Sequence, residues 1–175
     1  YLVAGKNPEV DKITISARCD LKDITGFRLE ALAHDALGGR GPGRTEHGNF
    51  VVSEFRVFAA PTADISGDHR VKLKLAAADF AQGGFEPANA IDGKEPTGWA
   101  IAPQTGRDHW LLVAAEQPIQ GDKTPHLQLV VAQNHGLQHT LGRFRVSAVT
   151  GVDPMLGFPN EVREALANDP TKRTP

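Results

Sequence analysis

Phe50-Val51-Val52-Ser53-Glu54-Phe55-Arg56-Val57-Phe58-Ala59 decides the fold class. In an extended chain successive side chains point to opposite faces, so Val51, Phe55 and Val57 fall on one side and Glu54 and Arg56 on the other. That alternation predicts a β-strand with one buried face and one face left to solvent or to function. Further strand-like runs lie at 12–17, 26–32, 71–77, 110–115, 126–132 and 141–149. Glycine and proline, 18 and 12 of the 175 residues, punctuate the chain between the runs, and this spacing suits a sandwich. The one convincing helical pattern covers 161–167, just after Pro159 and Asn160. The expected architecture is mostly β: an antiparallel β-sandwich over residues 1–150, then a linker with a short C-terminal helix over 151–175.

Composition narrows the function classes. Charges nearly balance, with 19 Lys and Arg against 21 Asp and Glu, and 40% of residues are apolar, as in a soluble globular domain. No basic stripe interleaved with aromatics is present, so no nucleic-acid surface is expected. No apolar run reaches the roughly 18 residues that span a bilayer, so membrane insertion is not expected either. Cys19 stands alone, which removes any internal disulfide and any cysteine-built zinc site. Its place at the end of a strand-like run predicts a small buried side chain rather than a nucleophile. The chain opens at Tyr1 with neither initiator methionine nor signal peptide, which reads as a segment of a longer protein.

The two halves carry a weak echo. Phe27-Arg28-Leu29-Glu30 and then Ser53-Glu54-Phe55-Arg56-Val57 parallel Leu127-Gln128-Leu129-Val130 and then Gly142-Arg143-Phe144-Arg145-Val146. The first connection, 33–49, is much the longer, and its extra residues run from Gly38 through Arg40, Pro42 and Arg44 to His47 and Gly48. Long ordered loops on a β-scaffold often carry binding groups. Sugar recognition calls for an apolar ring face and for forked donors or acceptors. Trp110 beside His109 offers the platform, and Arg40, Arg44, His47 and Asn49 offer polar contacts. Arg107, Gln133, His139 and Arg143 join them if the loops meet at one end of the sandwich. The guanidinium forks of Arg40, Arg44 and Arg143 suit an acidic polysaccharide. Catalysis has no motif: there is no HExxH pair and no GxSxG elbow, so the chain is not expected to be an enzyme. His135 and His139 are four apart, but Gly136 between them favours a polar loop over a metal-binding helix.

Ala88-Asn89-Ala90-Ile91-Asp92-Gly93-Lys94-Glu95-Pro96-Thr97-Gly98-Trp99 is the densest chemistry on the chain. Two readings stay open for it: a hairpin turn over a core tryptophan, or an Asp-Gly turn whose oxygens, with those of Thr97, aim at one hard cation. With Ser53 to Val57, these residues resemble the galactose-binding-like β-sandwich superfamily, which includes discoidin-type domains and many carbohydrate-binding modules. Asn-Ala-hydrophobic-Asp-Gly followed by Thr-x-Trp is met from Asn89 to Trp99, and Ser-Glu-aromatic-x-Val at Ser53 to Val57. Almost the whole chain is similar to a module within large planctomycete multidomain proteins that also carry cytochrome-type haem domains. That closer likeness rests on Gly41-Pro42-Gly43-Arg44, Gly48-Asn49-Phe50-Val51, Ala78-Asp79-Phe80 and His139-Thr140-Leu141-Gly142-Arg143 with the motifs already quoted.

The resemblance implies a jelly roll with a structural calcium ion. The Asn89 carbonyl, the Asp92 carboxylate, the Lys94 carbonyl and both Thr97 oxygens would hold it, with Glu54 closing the site from the remote strand. Calcium takes about 6 to 8 oxygens, which such a set approaches without histidine or cysteine. Lys94 stands where the family has asparagine or aspartate, a change that a backbone ligand tolerates. Glu54 precedes the loop, whereas in discoidin-type domains the acidic strand follows it, so the chain is permuted or Glu54 is an ordinary strand residue. The family's tryptophan lies beneath the loop, which places Trp99 in the core. The implied function is a non-catalytic carbohydrate-binding module of a secreted multidomain protein, extracellular, periplasmic or on the cell surface, with a polysaccharide or other glycan as partner. The alternative is a docking module for neighbouring domains of the parent chain, with an apolar patch around Phe58, Phe80 or Phe85.

Overall fold

The computed structural model describes residues 1–65, 68–124 and 126–151. Nine strands follow in chain order among them: β1 (Asp11–Arg18), β2 (Ile24–Ala31), β3 (Val51–Val52), β4 (Glu54–Ala60), β5 (Leu73–Ala78), β6 (Trp99–Ala100), β7 (His109–Ile119), β8 (His126–Gln133) and β9 (Phe144–Thr150). They form a three-stranded sheet, β1-β8-β4, a four-stranded sheet, β5-β7-β2-β9, and the small pair β3-β6. All pairings are antiparallel.

Each run read from alternation falls on a strand, and the run at 50–59 divides in two. Ser53 interrupts it: β3 pairs with β6, and β4 pairs with β8. Inward residues come from both sheets. Phe27 and Leu29 of β2 and Leu111 and Val113 of β7 join Phe55 and Val57 of β4 and Leu127, Leu129 and Val131 of β8 in one buried cluster. Two antiparallel sheets thus share one core, the arrangement of a β-sandwich. Burying each such side chain contributes roughly 1.5 to 3 kcal/mol relative to leaving it in water.

The face of β4 expected to be left to solvent or to function is not solvated at its first residue, where the Glu54 side chain is 0% exposed. The turn at Asp92-Gly93 closes over it, with the Gly93 amide donating to its carboxylate. Cys19 is half buried against the core rather than fully enclosed. The helix expected over 161–167 and the linker beyond 151 lie outside the described residues.

The connections set the functional geometry. Segments 32–50, 79–108 and 134–143 all leave the sheets at one end, where Asp11 is opposite Gln133, Glu54 opposite Ala132, and Ala31 opposite both His109 and Phe144. There they interlock through main-chain hydrogen bonds: Arg44 N–H to Thr140 O (2.8 Å), Val51 N–H to His139 O (3.0 Å) and Gly106 N–H to Gly41 O (2.6 Å).

Candidate binding site at the long-loop end

The 32–50 loop is a closed structure of its own. Leu37 N–H donates to His34 O, Gly41 N–H to Gly38 O, and Gly43 N–H to Gly48 O. Gly43 is required by close approach, since a Cβ there would stand 1.9 Å from Asn49 O. This folding carries His47 to the surface, where its ring lies 5.5 Å from that of His139. His139 in turn meets His135 at 5.1 Å, and His135 meets Phe85 at 5.5 Å. Three separate loops therefore assemble one row of rings, with neighbouring planes inclined at 52°, 86° and 79°. The inclination matters chemically, because the row offers both C–H-binding faces and nitrogen-bearing edges.

Hydrogen bonds assign some of those edges. His139 Nδ1 lies 3.2 Å from Gly136 O, which makes Nδ1 the protonated nitrogen and leaves Nε2 as an acceptor. His47 Nδ1 stands 3.4 Å from both the Asn49 amide and the Thr45 hydroxyl, which anchors the ring to its own loop. Burial, helped by the charge of His139, lowers the pKa of His135 below the ordinary imidazole value. Beside the row, Leu137 and Gln138 both adopt positive φ, 51° and 60°, a costly conformation for side chains with a Cβ. The N-terminal segment holds them there: Leu137 N–H donates to Glu9, and Asn7 bonds both Gln138 and Thr140. The result presents Leu137, 73% exposed, next to the imidazoles.

The expected ligand contacts separate into several groups. His47 and His139 come together in the ring row. Arg40 pairs with Asp35 of its own loop at 3.0 Å, Arg44 donates to Gly5 O of the N-terminal segment at 2.6 Å, and Arg143 donates to Ala33 O of the 32–50 loop at 3.1 Å, so each fork is partly engaged within the protein. Arg107 is exposed on the neighbouring segment. Asn49, His109 and Gln133 are buried, contrary to a role at the surface. Asn49 accepts from Ile101 N–H and donates to Gln82, Gln133 accepts from Leu141 N–H, and His109 bridges Asp79 and the Gln104 carbonyl. These three hold the loops from below. Trp110 cannot share a platform with His109, because neighbours on a strand point to opposite faces. It lies on the outer face of the four-stranded sheet, where the Arg28 guanidinium stacks 5.1 Å from its ring centroid. His135, Phe85 and Leu137 are not among the expected glycan contacts; the signals in the sequence are the spacing of His135 and His139 and the place of Phe85 in the expected apolar docking patch.

The Asp92 loop lies beside β4. Glu54 Oε1 accepts the Gly93 amide at 2.5 Å, while Oε2 is buried and accepts no hydrogen bond from the described residues. Arg56 Nε and Arg70 Nη2 stand 3.6 and 3.9 Å from that second oxygen. Burial raises the Glu54 pKa, against the opposing pull of the Gly93 amide and the two guanidinium groups. Within the loop, Thr97 Oγ1 lies 3.0 Å from both Asp92 carboxylate oxygens and 2.7 Å from the Lys94 carbonyl. One hydroxyl proton faces three acceptors, of which it can satisfy one well. The Lys94 N–H also donates to Asp92 Oδ1 at 2.8 Å and the Thr97 N–H to the Lys94 carbonyl at 3.3 Å, so the loop closes on its own hydrogen bonds, and Glu54 Oε2 is the buried oxygen that a hard cation would satisfy. Among the described residues no three His, Cys, Asp or Glu side chains gather at one point, so such an ion would depend on the carbonyl and hydroxyl oxygens as well as on Glu54 and Asp92. Asn89 turns its side-chain amide to Gly84 O and Glu86, away from any ligand role, which leaves only its carbonyl for one.

Trp99 underlies this loop as a core residue. It is 0% exposed, its indole N–H donates to Phe80 O at 2.9 Å, and its ring meets Phe50 edge-on. Gly98 lets it reach that position, since a Cβ at 98 would sit 2.7 Å from Val52 O. No family model, no curated protein and no solved structure matches the chain.

Proposed function

We propose that the chain is a non-catalytic carbohydrate-binding module of the galactose-binding-like, jelly-roll kind, part of a larger secreted multidomain protein. Glycan would lie across the long-loop end, and a calcium ion would fix the Asp92 loop. The observation that carries this reading is the row Phe85, His135, His139 and His47, assembled from three loops at one end of the sandwich. Ring faces take the apolar C–H side of a pyranose, while the ring nitrogens of His47 and the Nε2 acceptor of His139 read its hydroxyls. Arg44, whose amide bonds Thr140 beside the row, and exposed Arg107 on the adjoining segment would favour a glycan bearing acidic groups. Backbone strain at Leu137 and Gln138 supports the same location, because strained, braced positions gather at binding sites.

Calcium, when bound, supplies a fixed positive charge between Glu54 and the loop. Glu54, Asp92, the Asn89 and Lys94 carbonyls and Thr97 would hold it. Their part is to pin the loop over Trp99, not to react.

Affinity electrophoresis through gels containing neutral and acidic polysaccharides tests the binding. Wild-type protein should be retarded by at least one glycan, and His139→Ala and His47→Ala should each lose most of that retardation while remaining folded. Free migration of the folded wild-type protein through every glycan would sink the proposal.

A further inference from the structure

We propose a second ligand site on the flank of the sandwich, built for a small sugar acid, with residues separate from the ring row. Two clefts, of about 410 and 490 Å³, open along segment 68–73. Both are lined by Arg70, Val71, Lys72 and Glu116, so they form one trough rather than two holes. Its walls are apolar: Val71, Leu73 and Ile91 toward the Asp92 loop, and Ala59, Pro118 and Ile119 toward the β7–β8 turn. Its rim is charged, with Arg70, Lys72 and Lys123 against Asp68 and Glu116.

The cations are placed by backbone, not by chance of side-chain conformation. Arg70 bridges to Phe58, and its neighbours bond β4 through Ala59 N–H to His69 O (3.0 Å) and Val71 N–H to Val57 O (2.8 Å). Lys72 is tied to β7 where Glu116 N–H donates to its carbonyl at 2.8 Å. Arg70 keeps one edge 3.9 Å from buried Glu54, and its side chain is 50% exposed, so the fork has room for a second anion. Lys72 and Lys123 make no ion pair among the described residues. An anionic group on the ligand would meet Arg70 and Lys72, which line both clefts, with Lys123 further along the second, while the apolar walls take a ring face and the Glu116 carboxylate, with Asp68 at the first cleft, accepts from its hydroxyls. A plain hydrocarbon acid would leave those two carboxylates against an apolar body, which disfavours it. The chemistry that satisfies walls, cations and carboxylates together is a hexuronic acid, alone or as one residue of a uronide chain.

Titration of isotope-labelled protein with glucuronate, followed by amide chemical shifts, tests the site. Saturable shifts are expected at Arg70, Lys72 and Glu116, with none of comparable affinity from glucose, which lacks the charge, or from acetate, which lacks the ring. Lys72→Gln and Arg70→Gln should each weaken glucuronate binding roughly tenfold, the scale of one charge-assisted hydrogen bond. Lys72 is exposed, so its substitution stays informative if loss of Arg70 disturbs β4. Equal binding of glucose or acetate, no saturable shift in the trough, or unchanged affinity in the folded Lys72→Gln protein would each overturn the proposal. His139→Ala should leave glucuronate binding in the trough unchanged, which separates failure here from failure of glycan binding at the loop end.

Discussion

Glu54 concentrates the tension between folding and ion binding in one side chain. Its side chain is out of water, and one oxygen has no hydrogen-bond donor among the described residues. Because burial raises its folded pKa, proton uptake favours the native state. That contribution is present below the ordinary glutamate value and is lost as pH rises through the folded one. At neutral pH the ionised group therefore burdens the fold unless a cation neutralises it. Glu54→Gln keeps an acceptor for the Gly93 amide and removes the charge. Arg56 and Arg70 lose a partner, but their side chains are 27% and 50% exposed and retain water, so that loss is small. In chelator at pH 7 the variant should melt roughly 2 to 4 °C above wild type, the shift of ~1 kcal/mol in a domain of this size. A lower melting temperature would show that the arginine pairing outweighs the burial. Asp79 has the opposite sign. Burial pushes its carboxyl up, but the His109 hydrogen bond and the Trp110 amide, at 2.8 and 2.7 Å, outweigh it and hold the pKa down. Its stabilisation is present above the ordinary aspartate value and is lost as pH falls through the folded one. Asp79→Asn should cost about 1 to 3 kcal/mol at pH 7 by denaturant titration, with the gap from wild type closing as pH falls toward the folded Asp79 value.

Strands and loops differ in how much of them the sequence discloses. Alternation at 50–59 or 126–132 is a property of neighbouring residues, so it can be read one run at a time, and the core between two sheets follows from it. β6 has two residues, Trp99 and Ala100, too few to alternate. The ring row is harder still, because Phe85, His47 and His139 lie on three connections and meet only through the interlock of Arg44 with Thr140 and Val51 with His139. Trp110 and His109 were joined on adjacency in sequence, the one relation that a strand turns into opposite faces. In the 32–50 loop, crowding explains Gly43: Gly43→Ala would drive a Cβ into Asn49 O. That variant should lose the 32–50 loop's closed structure and with it the contact between His47 and His139, seen as loss of protection of the Gly43 and Gly48 amides from hydrogen exchange. The row itself carries a pH signature. His135 is depressed by burial and by His139, so its share of stability is present above about 6.5, the ordinary imidazole value, and is lost as pH falls through the folded one. Between pH 7 and 5 the melting temperature of His135→Gln should fall less than that of wild type.

At the scale of the molecule, the two sheets supply a body whose connections 32–50, 79–108 and 134–143 leave at one end, the Asp92 loop of the second reaching back beside β4, where the 68–73 segment also lies. Hydrophobic burial across the shared core holds the body, so an ion at the Asp92 loop is not needed for the sheets to form. Its effect is confined to a loop that covers Glu54 and Trp99, and it acts by mass action on the folded state alone. At a calcium concentration about a hundredfold above the dissociation constant the gain is ~2.7 kcal/mol, which corresponds to roughly 5 to 10 °C in melting temperature for a chain of this length. Chelation should therefore lower the melting temperature by about that amount, and Asp92→Ala should melt near the chelated wild type and respond to neither calcium nor chelator. The sheets should remain folded in both cases, with far-ultraviolet circular dichroism unchanged. If wild type melts identically with and without chelator, the converging oxygens of Asp92, Lys94 and Thr97 are a hydrogen-bonded turn around one hydroxyl proton, and the hairpin reading of the loop replaces the calcium site.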